Sequence, residues 1–209
     1  MAGLFVTAAG AKESEWMPLF DGKSLKGWTS TNGGSVGDGW EVENGEIHRK
    51  GKGGDMLSEG TYTDFELEFE WKVSSKANSG VKYRVVKTAG GWLGPEYQVL
   101  DDIGHSNGKV PDTSAASMYE IAPASSEKVL KPVGEWNRSK IVANGNTLEH
   151  WLNGKRVVKV DIKSSQYQAM KKDSKFAKVK DFGAPTAGHI LLQDHGDEVW
   201  FRSIRIKGH

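Results

Sequence analysis

The chain reads as an all-β sandwich or barrel, and three observations predict this. Short runs of alternating apolar and polar residues recur along its length, divided by turn signals. Gly (26) and Trp (8) are abundant for 209 residues, while one stretch alone has helical character. Two Asn-Gly pairs, Asn44-Gly45 and Asn153-Gly154, each join two strand-like runs, the sequence signal of a two-residue hairpin.

The elements follow in order. Residues 4–11 (LFVTAAGA) are apolar and small, so residues 1–15 read as a leader or the remnant of an export signal, with a single β-sandwich domain expected over 16–209. Residues 16–20 lead into a turn at Asp21-Gly22-Lys23-Ser24. Runs at 40–42 and 46–48 flank Asn44-Gly45. Residues 64–74 (DFELEFEWKVS) form the cleanest strand, with Phe65, Leu67, Phe69, Trp71 and Val73 on one face and Glu66, Glu68, Glu70 and Lys72 on the other. Residues 79–86 repeat the pattern, with Val81, Tyr83 and Val85 inward and Lys82 and Arg84 outward. In residues 96–100, Tyr97 and Val99 face inward and Glu96 and Gln98 outward. Strands follow at 138–143, 147–152 and 156–161. Residues 164–180 are Lys-rich and lack alternation; they read as a surface excursion with a short helix at 166–172. In the last segment, residues 188–206, Ile190 and Leu192 share one face. Leu191, Gln193 and His195 share the other, before Val199, Phe201, Ile204 and Ile206 resume an apolar pattern.

Composition narrows the function. With 28 basic and 27 acidic residues the net charge is +1, which gives no reason to expect a nucleic acid or an anionic membrane as partner. The absence of cysteine excludes disulfides and thiol chemistry. No run approaches the roughly 18 apolar residues of a spanning helix. There is no phosphate-cradling glycine loop, His/Cys zinc spacing or nucleophile elbow.

Three outward-facing polar sets carry the chemistry. These are Lys82 and Arg84 after Asn78, then Glu96, Gln98, Asp101 and Asp102, then Gln193, Asp194 and His195. Polar faces of central strands line a groove suited to an oligosaccharide or glycoside, with Trp92, Tyr119 and Trp136 placed to stack on sugar rings. His195 is the leading proton-transfer candidate, because an imidazole titrates near neutral pH. Other polar residues have ordinary explanations. The Glu66, Glu68 and Glu70 row reads as a solvated face, His150 as structural, Asp194 as a turn-maker, and His105 as either a loop or a site residue.

Residues 18–28 (PLFDGKSLKGW), 78–84 (NSGVKYR), 94–102 (GPEYQVLDD), 134–137 (GEWN), 149–154 (EHWLNG) and 188–206 resemble the 3-keto-disaccharide hydrolase family, in family order across residues 16–207. The resemblance implies a concanavalin A-like jelly roll of two antiparallel sheets and an exported bacterial protein, periplasmic or at the cell surface, acting on 3-keto-glycosides. A 3-keto group acidifies the sugar's C2 proton, so a base can form an enolate that expels the C1 substituent, and water then adds back. This requires a base near C2, a donor near the C3 oxygen and an acid near the leaving oxygen. Strand parity assigns His195, Glu96 and Asp101 to proton transfer, and Asn78, Lys82, Arg84, Gln98, Asp102, Tyr119 and Gln193 to substrate binding. Lys82 or Arg84, or a divalent metal held by groove oxygens and His195, would stabilise the enolate. Two rival readings use the same groove. One is a non-catalytic carbohydrate-binding module. The other is a conventional glycosidase, whose two carboxylates would be Glu96 and Asp101 or Asp102.

Overall fold

The computed structural model describes residues 15–209, so the leader expected at 1–15 lies, apart from Glu15, outside the described residues. The strands are β1 (Met17–Pro18), β2 (Trp28–Ser30), β3 (Trp40–Glu43), β4 (Glu46–Arg49), β5 (Met56–Ser58), β6 (Phe65–Val73), β7 (Asn78–Thr88), β8 (Gly91–Leu93), β9 (Glu96–Leu100), β10 (Asn137–Asn144), β11 (Thr147–Leu152), β12 (Lys155–Asp161), β13 (His189–Leu192) and β14 (Val199–Gly208). The helix α1 (Ser165–Lys172) falls inside the Lys-rich excursion, where the sequence predicts it. The Ser164 hydroxyl caps it by accepting the Tyr167 N–H, and Lys171 and Lys172 in its last turn suit the negative end of the helix dipole.

The strands build two antiparallel sheets of a jelly-roll sandwich. One has eight strands in the order β12-β11-β10-β6-β14-β4-β3, with β1 added along β14. The other has six, ordered β2-β5-β13-β7-β8, with β9 also paired to β7. Strand β6 shows why they face each other. Its five apolar residues are buried and its four charged residues half-buried, so one face seals the core and the other meets water. Against Phe65, Leu67, Phe69 and Trp71 pack Val81, Tyr83, Tyr97 and Val99 from the six-stranded sheet. Asn44-Gly45 and Asn153-Gly154 close the hairpins β3–β4 and β11–β12. All four of these residues have positive φ, as the hairpin turn that matches strand twist requires.

Two bulges alter the expected parity. At Ser203 (φ 53°) the register of β14 against β6 shifts, which lets Val199, Phe201, Ile204 and Ile206 all point inward. At Arg84 (φ 49°) the register of β7 against β13 shifts likewise. This corrects the alternation expected for residues 79–86. Past the bulge, Val85 leaves the core and joins Leu57 and Leu191 on the outer face, under Trp92. Gly188 faces the bulge, where a β-carbon would lie 2.3 Å from the Arg84 carbonyl carbon.

Candidate functional site

On the outer face of the six-stranded sheet, β7, β9 and the segment after β13 run side by side. Residues 78, 80 and 82 of β7 point outward, opposite Gln98 and Glu96 of β9, where Gly80 pairs with Gln98 and Lys82 with Glu96. Gln193 continues the outward row of Leu191, its N–H donating to the Gly80 carbonyl and its carbonyl accepting from the Ser79 hydroxyl. These residues and His195 line a cavity of about 240 Å³, closed at the rim by Tyr119 and by Lys175 and Phe176.

Glu96 is the buried acid of this cavity. Burial pushes its carboxyl above the usual range, against the pull of Lys82 and Lys175 and with the help of Asp55. Its partner is the Lys82 ammonium, 3.6 Å away and also largely buried. Gly80 makes room for the carboxylate, since a β-carbon there would lie 2.5 Å from Glu96 Oε1. Asp55, before β5, belongs to the same electrostatic group. Burial raises its carboxyl while Lys82 and His195 pull it down, and it accepts the backbone N–H of Asp194.

A chain of amides leads to the imidazole. Gln98 Nε2 donates to Asn78 Oδ1 (3.3 Å), and Asn78 Nδ2 faces His195 Nε2 at 3.4 Å. An amide N–H aimed at Nε2 suits a ring whose Nε2 is the unprotonated nitrogen. Two acceptors remain unmatched: Gln98 Oε1 and Gln193 Oε1 are buried and have no hydrogen-bond partner among the described residues. Buried polar atoms are nearly always paired, so two unpaired acceptors lining one cavity are suited to the hydroxyls of a polar ligand.

Thus, of the residues named from the sequence, Asn78, Lys82, Glu96, Gln98, Tyr119, Gln193 and His195 line one cavity. Three predicted residues lie elsewhere. Arg84, at the bulge, is turned from the groove and buried; it donates to the carbonyls of Thr63 and Gly183 and pairs with Asp64 at 2.9 Å. Asp101 accepts the backbone N–H groups of Lys76, Ile103 and Gly104, which hold its carboxyl below the usual range against the effect of burial. Asp102 accepts the Ala115 N–H and pairs with Lys128 at 2.7 Å. Both aspartates serve the loop after β9, because the strand ends at Leu100. The carboxylate partners expected for Glu96 in a conventional glycosidase are therefore committed elsewhere.

Among the aromatic candidates, Tyr119 lines the cavity, whereas Trp92 covers the Leu57, Val85 and Leu191 cluster and donates to the Thr31 carbonyl. Trp136 lies on the other sheet, with Arg202 4.0 Å and Lys72 4.6 Å from its ring centre. His105 accepts the Asn107 N–H within its own turn. Asp194 is the expected turn-maker: it accepts from the Gly53, Gly54 and Gly196 N–H groups and pairs with Arg49 at 2.6 Å.

Sequence reasoning missed Asp55, Lys175 and Phe176. The first follows Gly53-Gly54 with no strand parity to mark it. The other two sit in the Lys-rich excursion, whose tail folds back through the Phe176–Phe182 stack (4.2 Å) and the Lys175–Glu120 pair (3.2 Å).

The profile of the 3-keto-alpha-glucoside-1,2-lyase-like domain matches residues 15–207 of the chain. A 3-keto-disaccharide hydrolase of Bacteroides thetaiotaomicron is 33% identical over 226 residues, covering 92% of this chain and 78% of that protein. Two crystal structures from Parabacteroides distasonis ATCC 8503, each described as a candidate glycosyl hydrolase, share the fold. The first has a TM-score of 0.83 at 31% identity, covering 93% of this chain and 94% of that one. The second has a TM-score of 0.75 at 28% identity, covering 93% and 100%.

Proposed function

The chain belongs to the 3-keto-alpha-glucoside-1,2-lyase-like domain family, and from that premise we propose that it cleaves 3-keto-glycosides in the cavity around Glu96, Lys82 and His195. The coarser statement, that it is a carbohydrate-active protein, rests on the same family membership. The observation that carries the finer reading is the buried Glu96–Lys82 pair in one cavity with His195. It places an acid, a fixed cation and an imidazole around one small volume.

The chemistry assigns each group a step. His195 Nε2 takes the C2 proton, and the electron pair of that C–H bond forms the enolate whose charge rests on the C3 oxygen. The Lys82 ammonium stabilises this charge, worth more here than in water because Lys82 and its partner Glu96 are largely buried. The enolate then collapses to a C1–C2 double bond. The C1–O bond breaks with its electron pair on oxygen, and Glu96 gives that oxygen its proton. Burial suits Glu96 to this role by keeping its carboxyl protonated to higher pH than an exposed glutamate. Addition of water across the double bond returns hydroxyl to C1 and hydrogen to C2. Gln98, Gln193 and Asn78 bind sugar hydroxyls, and Tyr119 at the rim supplies a ring face.

The test is product release from a 3-keto-glucoside beside its unoxidised parent sugar, with and without a chelator. Cleavage of the keto sugar alone supports the elimination route. Cleavage of the parent would overturn it, and binding of either without cleavage would make the protein a carbohydrate-binding module.

A further inference from the structure

The hairpin β3–β4 carries a second cluster, on the opposite side of the sandwich from the cavity. Glu41 lies across from His48, and Glu43 across from Glu46, all on the outer face of the eight-stranded sheet. Glu46 is taken by Lys72 at 3.0 Å. The donor atoms of Glu41, Glu43 and His48 all lie within 4.8 Å of one another.

The state of His48 points to what belongs there. Its residue is 8% exposed, and its ring is locked by stacking on Trp200, with centroids 4.4 Å apart and planes 13° apart. Nε2 faces Glu198 Oε1 at 3.1 Å. Nδ1 is buried, has no hydrogen-bond partner among the described residues, and looks at Glu41 Oε1 from 3.4 Å. A neutral imidazole has one N–H. With that hydrogen on Nε2 for Glu198, Nδ1 presents a lone pair to a carboxylate, two acceptors facing each other. A cation between them resolves the conflict. In a tetrahedral zinc centre with bonds of about 2.1 Å, donor atoms lie about 3.4 Å apart, matching the Nδ1 to Glu41 separation. A carboxylate on the far ring nitrogen is also how metal-bound histidines are commonly oriented.

We propose that Glu41, Glu43 and His48 bind a divalent transition metal such as Zn²⁺, with Glu198 orienting His48 through Nε2. One imidazole and two carboxylates suit Zn²⁺ or its neighbours better than Ca²⁺, which takes six to eight oxygens. Lys50, 3.1 Å from Glu41, is the competing cation, but its side chain is 63% exposed and free to swing away. The role is structural, since the site faces away from the cavity. Glu198 ends the segment that also ties Asp194 to Arg49 and Asp197 to the Asn78 N–H, and that carries His195.

The rival account is an imidazolium held between Glu41 and Glu198, which has no use for Glu43. The experiment is calorimetric titration of the chelator-treated chain with Zn²⁺, with thermal melts in parallel. The expected result is one site per chain and a melting temperature that climbs with Zn²⁺. Glu43→Gln and His48→Gln should each weaken binding at least tenfold, and Glu198→Gln about tenfold. Glu43 is exposed, so its variant tests the site without threatening the fold. No stoichiometric binding, or unchanged affinity in Glu43→Gln, overturns the proposal.

Discussion

On the outer face of the eight-stranded sheet, every carboxylate of the β6 row meets a cation from a neighbouring strand. Glu66 pairs with Lys140 and Lys207, Glu68 with Arg138 and Arg205, and Glu70 with Arg202. On the outer face of the six-stranded sheet, Gln98 and Gln193 each keep an unmatched buried acceptor, and Glu96 has one ammonium at 3.6 Å. Both faces begin as the same alternation of apolar and polar residues. Along β6 the first is closed: the cross-strand partners of Glu66, Glu68 and Glu70 satisfy those carboxylates and leave them nothing for a ligand. The second is open, because the loops that cover it bury its polar atoms without pairing them. A polar face becomes a site where burial outruns partnership.

The most severe way to break this contrast is to remove the proton-transfer groups of the open face. His195→Ala and Glu96→Gln should each lower turnover of a 3-keto-glucoside by about 10²–10⁴-fold, while circular dichroism still reports the folded sandwich. In the parent protein the rate should fall as pH rises through the elevated Glu96 range, and Glu96→Gln should lack that alkaline limb. Parent-like rates in both variants would strip the open face of catalytic meaning.

A second prediction concerns what joins the two sheets. His150 of β11 is fully buried, with Nδ1 3.0 Å from the Ala116 carbonyl and Nε2 3.0 Å from the Tyr83 hydroxyl of β7. Burial pushes its pKa down to about 4. The folded protein therefore binds this proton less readily than the unfolded chain, so the stability is complete above pH 6.5 and is lost as pH falls through about 4. The loss attributable to His150 is about 3 kcal/mol. Urea unfolding at pH 7 and pH 4 should show a steeper drop in the parent than in His150→Gln, and equal drops would count against this link.

Gln98→Leu sharpens the comparison on a smaller scale. It should raise KM about tenfold, the worth of about one hydrogen bond to a ligand hydroxyl, with the melting temperature held or raised. A large loss of stability instead would mean that the amide serves the fold. The smallest effect belongs to the closed face. Glu68→Gln should alter stability by less than about 1 kcal/mol, because its arginine partners are largely exposed, and should leave cleavage untouched.

How far the sequence could be read depended on how local each cause was. The alternation of β6, the two Asn-Gly hairpins and the Ser164-capped helix are set by neighbours within a few residues, and all were legible. Much of the site was legible too, since Glu96, Gln98 and Gln193 follow from strand parity once a strand is recognised. The failures fall where the strand pattern is interrupted, by a bulge or by the end of the strand. Arg84 leaves the groove because a bulge reverses parity at that residue, and Asp101 and Asp102 leave it because the strand ends at Leu100 and loop amides take up their oxygens.

What the sequence alone determined is the two-faced strand pattern, and with it the all-β architecture and the outward direction of most site residues. Which outward face would be closed and which open was decided only by the tertiary structure. That choice depends on partners far along the chain: Arg202 and Arg205 meet Glu70 and Glu68 across more than 130 residues, while Lys175 and Phe176 fold back over Glu96. Charge pairing and burial are set by distance in space, which a periodic pattern does not encode.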